Sequence, residues 1–294
     1  MMKGEYGVIS IHFEAKQDCQ QLYEKITYYF NHYNHIGLNG VVQTDEKEKI
    51  TIAYEDEDSF TNSFQPLLVS TLTQHIISTK EEHWMNEIIE KIFFFTDPEE
   101  KIQILAIARS ILEGDRLDIP NITPFFQRDS YIYEAVSDNL EMGTTFYYDP
   151  FLTFRLKRYG EMLIDCVEIA IDEYLLEQEY QTIIENLRYF LRTESSKCEV
   201  VHVVYNGAFT FYDKNYQKLS RNYISANLEE HLLFEGDLDI DEIVISPLVS
   251  LAPKFVHVYS NEEDHGVILT IQAIFEERVF VHSLATFQAK AHLL

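Results

Sequence analysis

Chain-breaking residues are scarce, with 10 Gly and 7 Pro among 294 positions. That shortage excludes Gly-rich low-complexity chains and repeats of tight-turned β-blades, and it predicts long regular elements, mostly helices. Cysteine is scarcer still. Cys19, Cys166 and Cys198 form no C-x-x-C pair, so neither a disulfide framework nor a thiolate zinc site is encoded, and a reducing cytoplasmic compartment is the expectation. No run approaches the roughly 20 apolar residues that cross a bilayer. The longest candidate, Ile243 to Ala252, is broken by Ser246 and Pro247, so no membrane association is expected. The first residues alternate apolar with polar and carry Glu5, Glu14 and Lys16, which suits a strand and not a signal-peptide core. The acceptor-like triplet Asn121-Ile122-Thr123 is therefore incidental.

Positive charge is in deficit, 23 Lys and Arg against 49 Asp and Glu, for a net −26 spread along the chain. Nucleic-acid binders concentrate cations where phosphates sit, because counterion release supplies most of their affinity. That partner class is disfavoured, and a protein partner is expected instead. Phosphate-cradling motifs are absent too: neither G-x-G-x-x-G nor G-x-x-x-x-G-K-[ST] occurs, and no cofactor is expected. What the chain does have is apolar mass, 46% of residues, including 20 Phe and 19 Tyr. This is ample for a globular core.

The periodicity predicts an α+β fold in which a helical central region is flanked by an N-terminal β-α-β-β unit and a C-terminal mixed α/β block. Its expected domains are 1–57, 58–195 and 196–294. Val8, Ile9, Ile11 and Phe13 alternate as a strand, and Leu22, Ile26, Tyr29, Phe30 and Tyr33 mark one side of a helix over 17–35. Val41 to Thr44 and Ile50 to Tyr54 read as a hairpin, with too few strands to stand alone, so later residues must cover them. From 58 to 194 the period becomes three and four. Asp97-Pro98-Glu99-Glu100 combines an N-cap carboxylate, a first-turn proline and first-turn acids, predicting a helix to Glu113, and a further helix is expected over 128–141. Asp149-Pro150 repeats the start signal. The helix it opens runs to Leu176, and a second follows either directly or after a kink near Glu177 to Glu179.

After Ser195-Ser196 the pattern returns to strands. Asn206-Gly207 between Glu199 to Tyr205 and Ala208 to Asp213 predicts a two-residue hairpin turn, with His202 opposite Phe211. A helix over 239–251, a strand over 254–259, a helix over 262–275 capped by Ser260 and Glu263, and a strand over 278–282 complete the block. The strand-helix-strand order implies a right-handed parallel unit.

Phe151-Leu152-Thr153-Phe154-Arg155-Leu156-Lys157-Arg158-Tyr159, then Asp172-Glu173-Tyr174-Leu175 and Glu177-Gln178-Glu179-Tyr180, resembles the central block of the YtxC-like family of sporulation proteins. Ser246-Pro247-Leu248 to Pro253-Lys254 and Ile274-Phe275 to Arg278-Val279 are similar as well, so the resemblance covers about residues 145–285. It implies a cytoplasmic protein of spore-forming bacteria. It implies no catalytic residue.

Candidate chemistry is sparse. Arg155, Lys157 and Arg158 could grip an anionic partner with Tyr159 as a stacking face, although internal pairing with the abundant acids is the favoured expectation. His202, His257 and His282 come from three predicted strands. If these are neighbours the imidazoles could converge, with Asp241 or Glu242, on a metal or acid–base site; histidines on a half-buried sheet face are the simpler account. Gly236 to Glu242 imitates a calcium loop, but Glu242 stands where the turning Gly belongs and Leu248 where the bidentate Glu belongs. His75 and His83 lie about 12 Å apart along a helix, too far for one zinc. His32 and His35 lack a third ligand, Cys166 sits among apolar neighbours as a core thiol, and Trp84 needs no ligand to explain it. The leading expectation is a non-enzymatic interaction or regulatory protein whose helical middle is the docking surface. The alternative is an enzyme or metal-dependent protein built around the three C-terminal histidines.

Overall fold

The computed structural model describes residues 7–33, 40–45, 48–54, 60–120, 122–228 and 243–291. They form two compact units, 1–174 and 175–294, each with a four-stranded mixed sheet. The fold is α+β.

The first unit opens with β1 (Gly7–His12), α1 (Lys16–Tyr33), β2 (Gly40–Asp45) and β3 (Lys49–Tyr54). Alternation decides which face is buried: Ile9 and Ile11 of β1 and Ile50, Ile52 and Tyr54 of β3 point inward, against Leu22, Ile26 and Phe30 of α1. The cover that these strands require comes from one helical run, Phe60 to Lys91. It contains α2 (Gln65–Ile76) and α3 (Glu82–Lys91), separated by a π-helical turn at Ile77–Glu81. Next is α4 (Pro98–Glu113), where the expected cap forms: Asp97 accepts hydrogen bonds from the Glu99 and Glu100 amides at 2.9 and 3.1 Å, and Gly114 ends the helix at φ +83°. Asp97→Ala should lower stability by about 1 kcal/mol in urea unfolding, with Asp97→Asn close to wild type.

After α5 (Arg128–Asn139) a strand appears that the helical periodicity concealed, β4 (Thr145–Tyr147). It pairs in parallel with β1 and completes the order β2-β3-β1-β4, so the opening segment and the helices share one core. Three residues are too few to show a period. The Asp149-Pro150 reading is corrected here: α6 (Tyr148–Arg155) starts two residues earlier than Pro150, and the Asp149 carboxylate accepts from the Glu14 amide at 2.8 Å instead of capping its own helix. Of the two readings at Glu177 to Glu179, direct continuation holds, and the one break falls earlier, at Leu156. From there α7 (Lys157–Thr193) is continuous, giving Leu163, Val167 and Tyr174 to the first core and Ile184, Leu187 and Leu191 to the second.

The second unit continues with β5 (Val200–Tyr205), β6 (Phe209–Tyr212), α8 (Arg221–Asn227), α9 (Ile245–Leu251), β7 (Phe255–Tyr259), α10 (Gly266–Phe275), β8 (Val279–His282) and α11 (Leu284–Ala291). Its sheet order is β6-β5-β7-β8, with β7 and β8 parallel as the strand-helix-strand reading required, and β5 parallel to β7 as well. Two local readings are corrected. The hairpin loop holds three residues, Asn206 to Ala208, with Gly207 at φ +75°, so Tyr205 pairs with Phe209 and His202 faces Tyr212, not Phe211. That one-residue shift puts Phe211 in the hydrophobic core and Tyr212 on the histidine side. The last long helix begins at Gly266 under His265, whose ring accepts from the Val267 amide, while Ser260 accepts from Glu262 in the preceding loop. Of the helix expected over 239–251, only the part from Ile245 is helical among the described residues, since 239–242 lie outside them.

Candidate functional site

Parallel pairing places His202 beside His257 and Tyr259 beside His282, and side chains two apart share a face. The three imidazoles therefore do gather on one side of the second sheet. His257 Nδ1 and His282 Nε2 are 3.0 Å apart, while their ring centroids are 5.2 Å apart with planes inclined by only 24°. Centroids that exceed the nitrogen separation by about a ring's width mean rings meeting edge to edge, each nitrogen aimed at the other. This is the geometry of an N–H···N hydrogen bond between complementary tautomers. A shared metal would need both lone pairs to converge on a third point, whereas here one nitrogen carries the proton and the lone pair of the other accepts it.

His202 is held separately. Its Nδ1 lies 3.1 Å from the Tyr259 hydroxyl, and its ring stacks on Tyr216 at 4.3 Å and beside His257 at 5.3 Å. Phe287 of α11 closes over this end, with its ring 5.1 Å from Tyr259 and 4.8 Å from Tyr212. Burial, then the neighbouring His257 and Lys290, pushes His202 down to about 4, with Asp213 opposing. Burial together with Lys290 also lowers His257 and His282. At neutral pH the face holds neutral rings. Among the described residues no three His, Cys, Asp or Glu side chains are arranged to hold a metal ion; Asp241, Glu242 and the calcium-like segment lie outside them.

The basic segment divides. Lys157 pairs with Glu161 at 3.6 Å, Arg158 lies 4.8 Å over the Tyr131 ring, and Arg155 closes α6. Tyr159 is buried, its hydroxyl donating to the Glu81 carboxylate, so it offers no stacking surface beside the three cations. Internal use also claims the other polar residues singled out. His75 is fully buried 3.5 Å from Asp18, whose other oxygen bonds Lys80 at 2.7 Å. Burial and the nearby Lys25 outweigh Asp18 and push His75 down to about 4, so Lys80 is the cation of this cluster. Cys166 donates to the Ala108 carbonyl at 3.6 Å and burial pushes its thiol up to about 12, the wrong direction for a nucleophile. His83 stays on the surface near Glu87, His32 stacks with Tyr28, and His35 lies outside the described residues.

The sequence matches the YtxC-like family over residues 66–280. It is also 35% identical over 227 residues to the "Uncharacterized protein YtxC" of Bacillus subtilis (strain 168), covering 76% of this chain and 79% of that one. The chain belongs to the YtxC-like family. No solved structure matches it. The YtxC-like region takes in His202 and His257 of the histidine face, but not His282, and a second feature that periodicity did not reveal, a cleft of about 600 Å³ in the first unit. Trp84 and Ile88 of α3, with Ile92 just beyond its end, form one wall, and Leu152, Leu156 and Ile164 form the other. Among the described residues of this YtxC-like chain, no helix is long and apolar enough to cross a membrane.

Proposed function

We propose that this YtxC-like chain is a non-enzymatic interaction or regulatory protein of sporulating cells, acting in the cytoplasm, with the α3/α6/α7 cleft of its first unit as the docking surface. The observation that carries this reading is the contrast between its polar and apolar groups. His257 is bonded to His282, His202 to Tyr259, Tyr159 to Glu81 and Lys80 to Asp18, whereas Trp84, Ile92, Leu152 and Ile164 stand partly open in a concavity. Open apolar concavities mark binding surfaces in soluble proteins. The sporulation setting is what the sequence resemblance described above implies, and three free cysteines suit a reducing compartment.

Spore counts test it. In a spore-forming host whose own copy is deleted, the chain carrying Gly160→Leu, which fills the cleft, should fail to restore sporulation at equal protein level. His257→Gln should restore it. The opposite pattern would favour chemistry at the histidine face and reject the docking reading.

A further inference from the structure

Strand β4 ends its sheet, because the order β2-β3-β1-β4 leaves one of its edges unpaired among the described residues. The phase of the ladder fixes what that edge offers. The Ser10 amide donates to the Thr144 carbonyl at 3.4 Å, and Ser10 is aligned with Thr145 and His12 with Tyr147 in parallel register. Successive residues of a strand direct their N–H and C=O groups to opposite edges, so Phe146 spends both of its backbone groups on β1. Thr145 and Tyr147 turn theirs outward, and both residues are exposed. Two donors and two acceptors are thus left in line, the template on which a further strand pairs. A groove of about 470 Å³ takes in all three residues of β4 and continues onto α6. No described residue of β1 lines it, so it opens on the unpaired side. Phe146 and Phe151 of its lining are buried, with rings 4.9 Å apart, while Tyr147 and Phe154 are 57% and 76% exposed.

Charge narrows the occupant. Arg155 is the one charged residue of the lining, and among the described residues it forms no ion pair, in a chain where acids outnumber bases by 49 to 23. Outward backbone groups at strand spacing accept another strand, the apolar groove takes its alternate side chains, and a lone guanidinium takes a carboxylate. The net charge of −26 disfavours a segment that is acidic throughout. We infer that the edge of β4 is a strand-addition site for an extended segment of a partner protein, with apolar side chains for the groove and a single carboxylate for Arg155. The site is additional to the cleft and independent of it: α6 gives Phe151, Phe154 and Arg155 to the groove but Leu152, Thr153 and Leu156 to the cleft.

Peptides selected on the full chain from a random display library test it, with the affinity of the best one then measured by fluorescence anisotropy. Selected peptides should alternate β-branched or aromatic residues and hold one Asp or Glu. Thr145 opens β4 and its amide faces outward, so Thr145→Pro removes one outward donor and leaves the β1 ladder intact. Arg155→Gln removes the charge from an exposed helix end. Each variant should weaken binding at least tenfold, and Gly160→Leu, which fills the cleft, should change it less than twofold. A selection that yields no binding peptide, or a peptide whose affinity survives Thr145→Pro or Arg155→Gln, overturns the inference. A peptide lost only in Gly160→Leu also overturns it, while upholding the cleft as the docking surface.

Discussion

Arg128→Met is expected to cost the first unit about 3–5 kcal/mol, the range for removing one partner of a buried ion pair. Glu81 leaves the π-helical turn pointing inward, where it accepts from the Tyr159 hydroxyl and lies 3.3 Å from Arg128 Nε. Arg128 also donates to the Leu112 carbonyl that ends α4. Burial already raises the Glu81 pKa against the opposing pull of Tyr159 and Arg128. A carboxyl whose folded pKa is raised contributes fully at low pH and loses that contribution as pH rises through the folded value. Taking the guanidinium away raises it further, so the deficit of the variant should be larger at about pH 8 than at about pH 5. Trp84, the single tryptophan, has its ring 6.2 Å from Tyr159 and reports on this network by fluorescence during urea unfolding. A deficit below about 1 kcal/mol, or one indifferent to pH, would show that the pair is solvated.

Acidification should destabilise both units. His75 in the first and His202 in the second are held neutral, at about 4 against an unfolded 6.5. The unfolded chain then binds more protons between those values, so stability is complete above about pH 6.5 and falls as pH drops toward 4, by about 3 kcal/mol for each ring. His257 and His282 act in the same direction. Trp84 fluorescence follows the first unit and amide exchange in β5 and β7 follows the second. His202→Phe should flatten the pH dependence of β5 and β7 without altering that of Trp84. Equal slopes in variant and wild type would place the acid sensitivity elsewhere.

Much of the fold was legible because local chemistry and tertiary structure agree. Asp97 and Gly114 bound α4 where their preferences predict, and alternation in β1 and β3 marks the buried face correctly. The parallel β7-α10-β8 unit followed from element order. Failures came where a long-range partner overrode a local signal. Asp149 looked like a cap but bonds Glu14, 135 positions away. Strand β4 exists because β1 offers it an edge, which nothing in Thr145 to Tyr147 announces. The hairpin register hung on a single loop residue, Ala208.

The candidate site was legible to a different degree. Convergence of His202, His257 and His282 followed from strand adjacency, but their use did not, since only ring orientation separates two imidazoles that bind one another from two that bind a metal. Tyr159 was misplaced as a surface ring because its true partner, Glu81, is 78 positions away and enters through a π-helical turn that shifts the helical phase. The cleft was invisible to periodicity because its walls lie far apart in sequence. Only Gly160, unexpected inside a long helix, hinted at it.

The central claim is that, among the described residues, His257 and His282 hold one another and His202 is held by Tyr259, so that these rings are not arranged to share a metal. Nitrogen-15 spectra of the imidazoles at neutral pH, recorded before and after addition of zinc, test it most directly. The account predicts one proton shared between His257 Nδ1 and His282 Nε2, a neutral His202 tied to Tyr259, and no change with zinc. Stoichiometric shifts of all three imidazoles would contradict it.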